Sequence, residues 1–186
     1  MGRWEPGAPE RLQLAAVTLF LERGYDDVTV AEIADAASLT KRTFFNHFCD
    51  KREVLFADAR GFQAAIVTHL AKASADLTPL EATLAALTHG GQQLEPWRGV
   101  GAIRRDLIRS SVELQERNLQ KLSALTDALT ATLRDRGVPP RKATLTAQAA
   151  VAAFTTAYDD SLNDLTTAFP TLLRQALRDL RQALTD

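Results

Sequence analysis

Apolar side chains recur at helical spacing through the first part of the chain: Leu12, Ala15, Ala16, Leu19 and Phe20 form one stripe, which predicts a helix from Glu10 to about Arg23. Gly24 follows the last periodic residue and can adopt a left-handed cap at little cost, with Tyr25 placed to fold back as the accompanying apolar contact. Thr29-Val30-Ala31-Glu32 has the spacing of a capping box, so a second helix should start there and bury Ile33, Ala34 and Ala37. Ser38-Leu39 makes a turn, and Thr40 is placed to cap a third helix whose inward residues are Phe44 and Phe48. Asp50-Lys51-Arg52-Glu53 reads as another capping box, opening a fourth helix through Leu55, Phe56 and Ala59 to about Ala75. Two short helices flanked by longer ones make a helix-turn-helix.

Beyond residue 75 the pattern remains helical and becomes rich in Ala, Leu and Thr. Pro79 suits a first turn, and that helix is expected to run to the Gly90-Gly91 region. Pro96-Trp97-Arg98-Gly99 reads as a loop, and a helix over 102–110 follows. A long helix over 112–136 shows the stripe Leu119, Leu122, Leu125, Leu129 and Leu133 and stops at Gly137-Val138-Pro139-Pro140. The next, over 141–162, carries small residues on several faces, which allows close approach on more than one side. A last helix over 167–184 shows Leu173, Leu177, Leu180 and Leu184 in a stripe widened by Leu172, Ala176 and Ala183, with Pro170 tolerable only near its first turn. No strand signal, internal repeat or low-complexity tract appears. The expected fold is all-α, with a helix-turn-helix domain over 1–56 and a larger helical domain over 57–186.

Composition narrows the chemistry. Residues 1–60 carry 8 Lys and Arg against 10 Asp and Glu, whereas residues 38–52 carry 4 against 1, so positive charge concentrates around the third helix. No stretch of about 18 apolar residues occurs, and the first six residues lack an apolar signal core, which gives the expectation of a cytoplasmic protein. One cysteine, Cys49, excludes an internal disulfide, and three scattered histidines with one thiol make no recognisable metal set. There is no Ser/His/Asp constellation and no Gly-rich phosphate loop, so neither a cofactor nor an enzymatic activity is expected.

Leu19-Phe20 with Glu22-Arg23-Gly24-Tyr25, Thr29-Val30 with Ile33-Ala34, Thr43-Phe44-Phe45-Asn46-His47-Phe48, and Lys51 with Leu55-Phe56 together resemble the TetR family of bacterial transcription regulators. The resemblance covers about the first third of the chain. It implies a homodimeric repressor, released from operator DNA by a small molecule, that reads DNA with the third helix, Thr40 to His47. Position by position it places Lys41, Arg42 and Thr43 at base edges, and Thr29, His47 and Lys51 at phosphates. That sorting fits their donors, since Lys and Arg donate to guanine acceptors while a hydroxyl or imidazole bonds phosphate without reading sequence. The chain departs from the family twice. Phe45 stands where Tyr is frequent and offers only an apolar contact, and Ser38 stands where Gly is frequent, which matters if that position needs a positive φ.

The same resemblance implies that the last two helices form a four-helix bundle with a second copy, through Ala150, Ala153, Ala157, Leu173, Leu177 and Leu180. Asp50 to Phe56, Arg104-Arg105 and Glu113 to Arg117 resemble more weakly a subgroup with acyl-CoA-like ligands, including regulators associated with mycofactocin gene clusters. Such a ligand needs cations for its phosphates and an apolar tunnel for its chain. Arg104, Arg105 and Arg109 are candidates for the first, and Phe62, Ile66, Leu107, Ile108, Leu122, Phe154 and Tyr158 for the second. Two other readings stay open: a protein-interaction module whose helix-turn-helix has lost DNA affinity, and an all-α small-molecule carrier or enzyme.

Overall fold

The computed structural model describes residues 7–57, 59–95 and 98–185. Among them are nine α-helices and one 3₁₀ turn, with no strand. The chain divides into two compact units, the first made of residues 1–58 and 103–118, the second of 59–102 and 119–186. The domain expected over 57–186 is thus interrupted: a corner of it clusters with the first unit.

In the first unit, α1 (Ala8–Arg23) begins two residues before the expected start, with Pro9 in its first turn, and buries Leu12, Ala16 and Phe20. Gly24 ends it at φ 84°, donating to the Phe20 carbonyl, and Tyr25 packs edge-on against Phe20 with ring centroids 5.2 Å apart. α2 (Val30–Ala36) opens on the full capping box: the Thr29 side chain accepts from the Glu32 N–H, and the Glu32 carboxylate accepts from the Thr29 N–H. Its other end is a Schellman motif, in which the Ser38 N–H donates to Asp35 O and the Leu39 N–H to Ala34 O. That motif puts Ser38 at φ 53°, so the positive φ that favours glycine here is borne by a serine. α3 (Lys41–His47) follows directly, capped by Thr40, whose side chain accepts from the Thr43 N–H.

The fourth helix expected from Asp50 to Ala75 is two pieces. Asp50 does accept from the Glu53 N–H at 3.1 Å. The Glu53 carboxylate accepts from the guanidinium of Arg117 in α7. Glu53, Val54, Leu55 and Phe56 are all buried in a 3₁₀ turn, Arg52–Phe56. Four consecutive buried side chains do not fit a helix with one inward stripe, and the tighter turn distributes them over more directions. α6 (Arg98–Ser110) and α7 (Val112–Asp135) supply the rest of this unit, over 103–118.

The second unit holds α4 (Ala59–Ala71), α5 (Pro79–Leu94), α8 (Pro140–Asn163), α9 (Phe169–Ala183) and the remainder of α6 and α7. α4 stops short of 75, and Arg136 gathers carbonyls at its end and just beyond: the guanidinium donates to Leu70 O at 3.1 Å, Ala73 O at 2.8 Å and Ser74 O at 3.0 Å. α5 opens on a capping box the sequence reading did not pick out, Thr78 with Glu81. It runs through Gly90 and Gly91 instead of ending there. A Cβ on Gly91 would lie 1.9 Å from Phe169 Cε1 and one on Gly90 2.8 Å from Ile66, so both glycines serve helix contact. Arg98 and Gly99 belong to α6, not to a loop; Pro96 and Trp97 lie outside the described residues. Arg98 is buried, pairing with Glu95 at 2.9 Å and donating to Thr167 O at 3.1 Å. In α7, Leu125, Leu129 and Leu133 are buried as the stripe requires, but Leu119 is 65% exposed. Gly137 closes α7 in a second Schellman motif at φ 85°. Pro170 sits in the first turn of α9, where it is tolerated.

Candidate nucleic-acid interface

α3 has two faces because its aromatic spacing demands it. Phe44 is fully buried and Phe48 nearly so, with ring centroids 5.3 Å apart, and this pair fixes the rotation of the helix. The opposite side is then left to Lys41, Arg42, Phe45, Asn46 and His47, all exposed. Phe45 is 55% exposed and touches Phe44 edge-on. The hydroxyls of Thr40 and Thr43 lie 2.9 Å apart at the start of the helix, which holds Thr43 beside the cap. Among the described residues Lys41 and Arg42 form no ion pair, so their charge is available to a ligand. Arg52, by contrast, is neutralised by Asp50 at 2.8 Å and Glu113 at 3.4 Å.

Of the eight residues expected at DNA, six lie on α3 or its cap: Thr40, Lys41, Arg42, Thr43, Phe45 and His47. The other two are engaged within the fold. Thr29 donates its hydroxyl to Glu32 at 2.7 Å, although its side chain remains exposed. Lys51 Nζ donates to Tyr25 O at 2.7 Å and Val28 O at 2.9 Å and lies 4.0 Å from the centre of the Tyr25 ring. Two of its three N–H donors thus clamp the loop leading to α2. The Tyr25 hydroxyl closes no hydrogen bond of good geometry, and burial followed by the carboxylate of Glu113 raises its pKa, keeping the phenol neutral.

Two contributors had no local signal. Arg11 on α1 donates to the carbonyls of Ala37 and Ser38, fixing the turn between the two short helices. Asn46 is exposed on α3, and its amide has the donor and acceptor geometry that reads adenine. Only the rotation set by Phe44 and Phe48 reveals which way it faces.

The ten ligand candidates divide between the units. Phe62, Ile66, Leu122, Phe154 and Tyr158 belong to the second, where the Phe154 ring lies 6.0 Å from Phe62 and stacks on Tyr158 at 6.3 Å. Ile66 is wholly buried, with its side chain against Gly90. Arg104, Arg105, Leu107, Ile108 and Arg109 belong to the first unit. There Arg104 donates to Leu55 O at 2.7 Å and lies over the Phe56 ring, and Arg105 pairs with Asp106. Arg104 is thus engaged in holding the first unit together. Of the six residues expected at a dimer interface, Ala150, Ala153, Ala157, Leu173 and Leu177 are already buried within the single chain and only Leu180 is partly exposed. Within the chain α8 packs on α5 and α9, and its outward side presents Leu145, Ala152 and Thr156.

Residues 14–57 match the model of the bacterial regulatory proteins of the tetR family. Over that segment the chain is similar to the DNA-binding domain of the TetR family. It is 37% identical over 73 residues to the HTH-type transcriptional regulator TcmR of Streptomyces glaucescens, covering 39% of this chain and 32% of that protein. It is 32% identical over 72 residues to a candidate mycofactocin biosynthesis transcriptional regulator, MftR, of Mycobacterium tuberculosis, covering 39% and 33%. The chain thus spans about a third of the length of the curated relatives it matches. The fatty acid degradation regulator FadR of Bacillus halodurans has the same fold throughout, with a TM-score of 0.62 at 20% identity over 96% of both chains.

Proposed function

We propose that this protein is a homodimeric, sequence-specific DNA-binding transcriptional regulator, a repressor released by a small apolar effector. The observation that carries the reading is α3: a helix rotationally locked by Phe44 and Phe48 that turns two unpaired cations, an amide and an exposed aromatic outward, inside a segment matching the TetR DNA-binding domain. Lys41, Arg42, Thr43 and Phe45 read base edges, and Thr29, Thr40 and His47 contact the backbone, with the third donor of Lys51 joining them. Anisotropy titrations against the DNA upstream of its own gene test this. Preference for that DNA over random DNA with a steep salt slope supports it, and no binding at low salt overturns it.

The effector enters beside the Phe62–Phe154–Tyr158 cluster in the second unit. Within the first unit the corner of α6 and α7 is fastened to the 3₁₀ turn by Glu53–Arg117 and Arg104–Leu55. By linkage, operator DNA weakens effector binding by the same factor that effector weakens DNA binding. The acyl-CoA class is the first to test, with free fatty acids of equal length alongside: an acyl-CoA preference shows that the CoA phosphates contribute to recognition, and equal affinity leaves an apolar tunnel alone. Effector affinity that is identical with and without operator overturns the coupling.

A further inference from the structure

The chain has three histidines, and the fold brings two of them together in the second unit. His69 in the last turn of α4 and His89 on α5 stack with ring centroids 4.7 Å apart and planes 22° from parallel. The side-chain amide of Gln93, one turn further along α5, lies 3.1 Å from His89 Nε2. Beside the two rings opens a groove of about 610 Å³ whose other walls are Ala64, Ala65, Thr68, Lys72 and Ala73. The DNA-binding reading makes no use of any of these residues.

Two imidazoles on adjacent helices, side by side at the edge of an open groove, can act as a bidentate nitrogen donor. We propose that His69 and His89 bind a late first-row divalent cation such as Zn²⁺, Ni²⁺ or Cu²⁺, bridging α4 to α5. The donor chemistry selects the class: imidazole suits these ions, whereas Mg²⁺ and Ca²⁺ require carboxylate and carbonyl oxygens that the groove does not offer. Among the described residues no third His, Cys, Asp or Glu joins the pair, so solvent completes the coordination and the site stays open. The alanine walls leave room for that solvent; His89 binds through Nδ1, and the Gln93 side-chain amide beside Nε2, turned so that its carbonyl oxygen accepts from the Nε2–H, orients the ring. Lys72 is the charged group lining the groove; its repulsion weakens the site, and its long stem lets the ammonium turn away. The ion binds the folded chain and ties the end of α4 to α5, so it stabilises the second unit.

The test uses the full chain without an affinity tag, in a Cys49→Ser background that removes the exposed thiol as a competing donor. ZnCl₂, NiCl₂ and CuCl₂ are titrated by calorimetry and by thermal melting. The proposal expects one ion per chain, a rise in melting temperature reversed by EDTA, affinity in the order Cu²⁺ above Zn²⁺, and no response to MgCl₂. Replacing either ring, His69→Ala or His89→Ala, should weaken binding by about tenfold or more. Unchanged stoichiometry and affinity in both variants, or no binding by the parent up to millimolar metal, overturns the proposal. Should a variant fail to fold, the side-chain ¹⁵N resonances of the parent decide: His69 and His89 shifting together on Zn²⁺ addition supports it, and a response confined to His47 overturns it.

Discussion

Lys51 separates two roles with opposite signatures. The family resemblance places it on phosphate, whereas its ammonium donates to Tyr25 O and Val28 O and lies over the Tyr25 ring. Each hydrogen bond from a charged donor is worth about 1.5–3 kcal/mol, which partial exposure brings to the lower end, and the ring contact adds about 0.5–1 kcal/mol. Lys51→Met keeps the apolar stem and removes the charge, leaving two carbonyls without donors. The expected loss is about 2–4 kcal/mol, a large share of the roughly 5–15 kcal/mol that holds a domain together. With a urea m-value of about 1 kcal/mol/M for a unit this small, the midpoint followed by far-UV circular dichroism should fall by about 2 M or more. Salt titration of DNA binding at a temperature where the variant is folded supplies the contrast. A pure clamp leaves the slope unchanged, and a phosphate contact flattens it by about one charge. A midpoint within about 0.3 M of the parent together with a flatter slope would refute the clamp.

Three further outcomes are expected. Thr29 and then Arg23 hold the Glu32 carboxyl down to about 2 from its ordinary 4.5. Its contribution is therefore complete at neutral pH and lost as pH falls from about 4.5 to about 2, and the urea midpoints of wild type and Glu32→Gln should converge over that range; a pH-independent gap contradicts this. Gly91→Ala places a Cβ against Phe169 and should destabilise by about 1–3 kcal/mol despite the better helix propensity of Ala, so a raised melting temperature would show that α5 and α9 do not pack this closely. Arg42→Ala should cost about 1–3 kcal/mol on operator DNA and much less on random DNA in competition assays, and equal losses would move Arg42 to the phosphate class.

What the sequence revealed follows the range of the interaction involved. The caps at Thr29 and Thr40, the stop at Gly24 and the inward pair Phe44 and Phe48 depend on partners within a few residues, and all were legible. Asp50 to Phe56 was misread because the residue that claims Glu53 lies 64 positions away in α7. Gly90-Gly91 looked like a helix end for the same reason, since their purpose is set by Ile66 and Phe169. Lys51 was legible as a cation but not as a clamp, because backbone carbonyls leave no trace in side-chain pattern. The small residues of α8 pointed to close packing both within the subunit and against another; the chain itself buries Ala150, Ala153 and Ala157. The His69–His89 pair was invisible, twenty positions apart with no motif between them.

The pairing of Glu53 with Arg117 also sets a timetable for synthesis. The helix-turn-helix leaves the ribosome early, yet its buried run Glu53 to Phe56 has no complete surroundings until the corner over 103–118 has followed. At about 5–20 residues per second the intervening 64 residues take roughly 3 to 13 seconds, during which Val54, Leu55 and Phe56 lack part of their cover. For the same reason a gene fragment ending near residue 58 should yield a sticky, poorly folded product, and a chimera that transplants this helix-turn-helix must bring the distant corner with it.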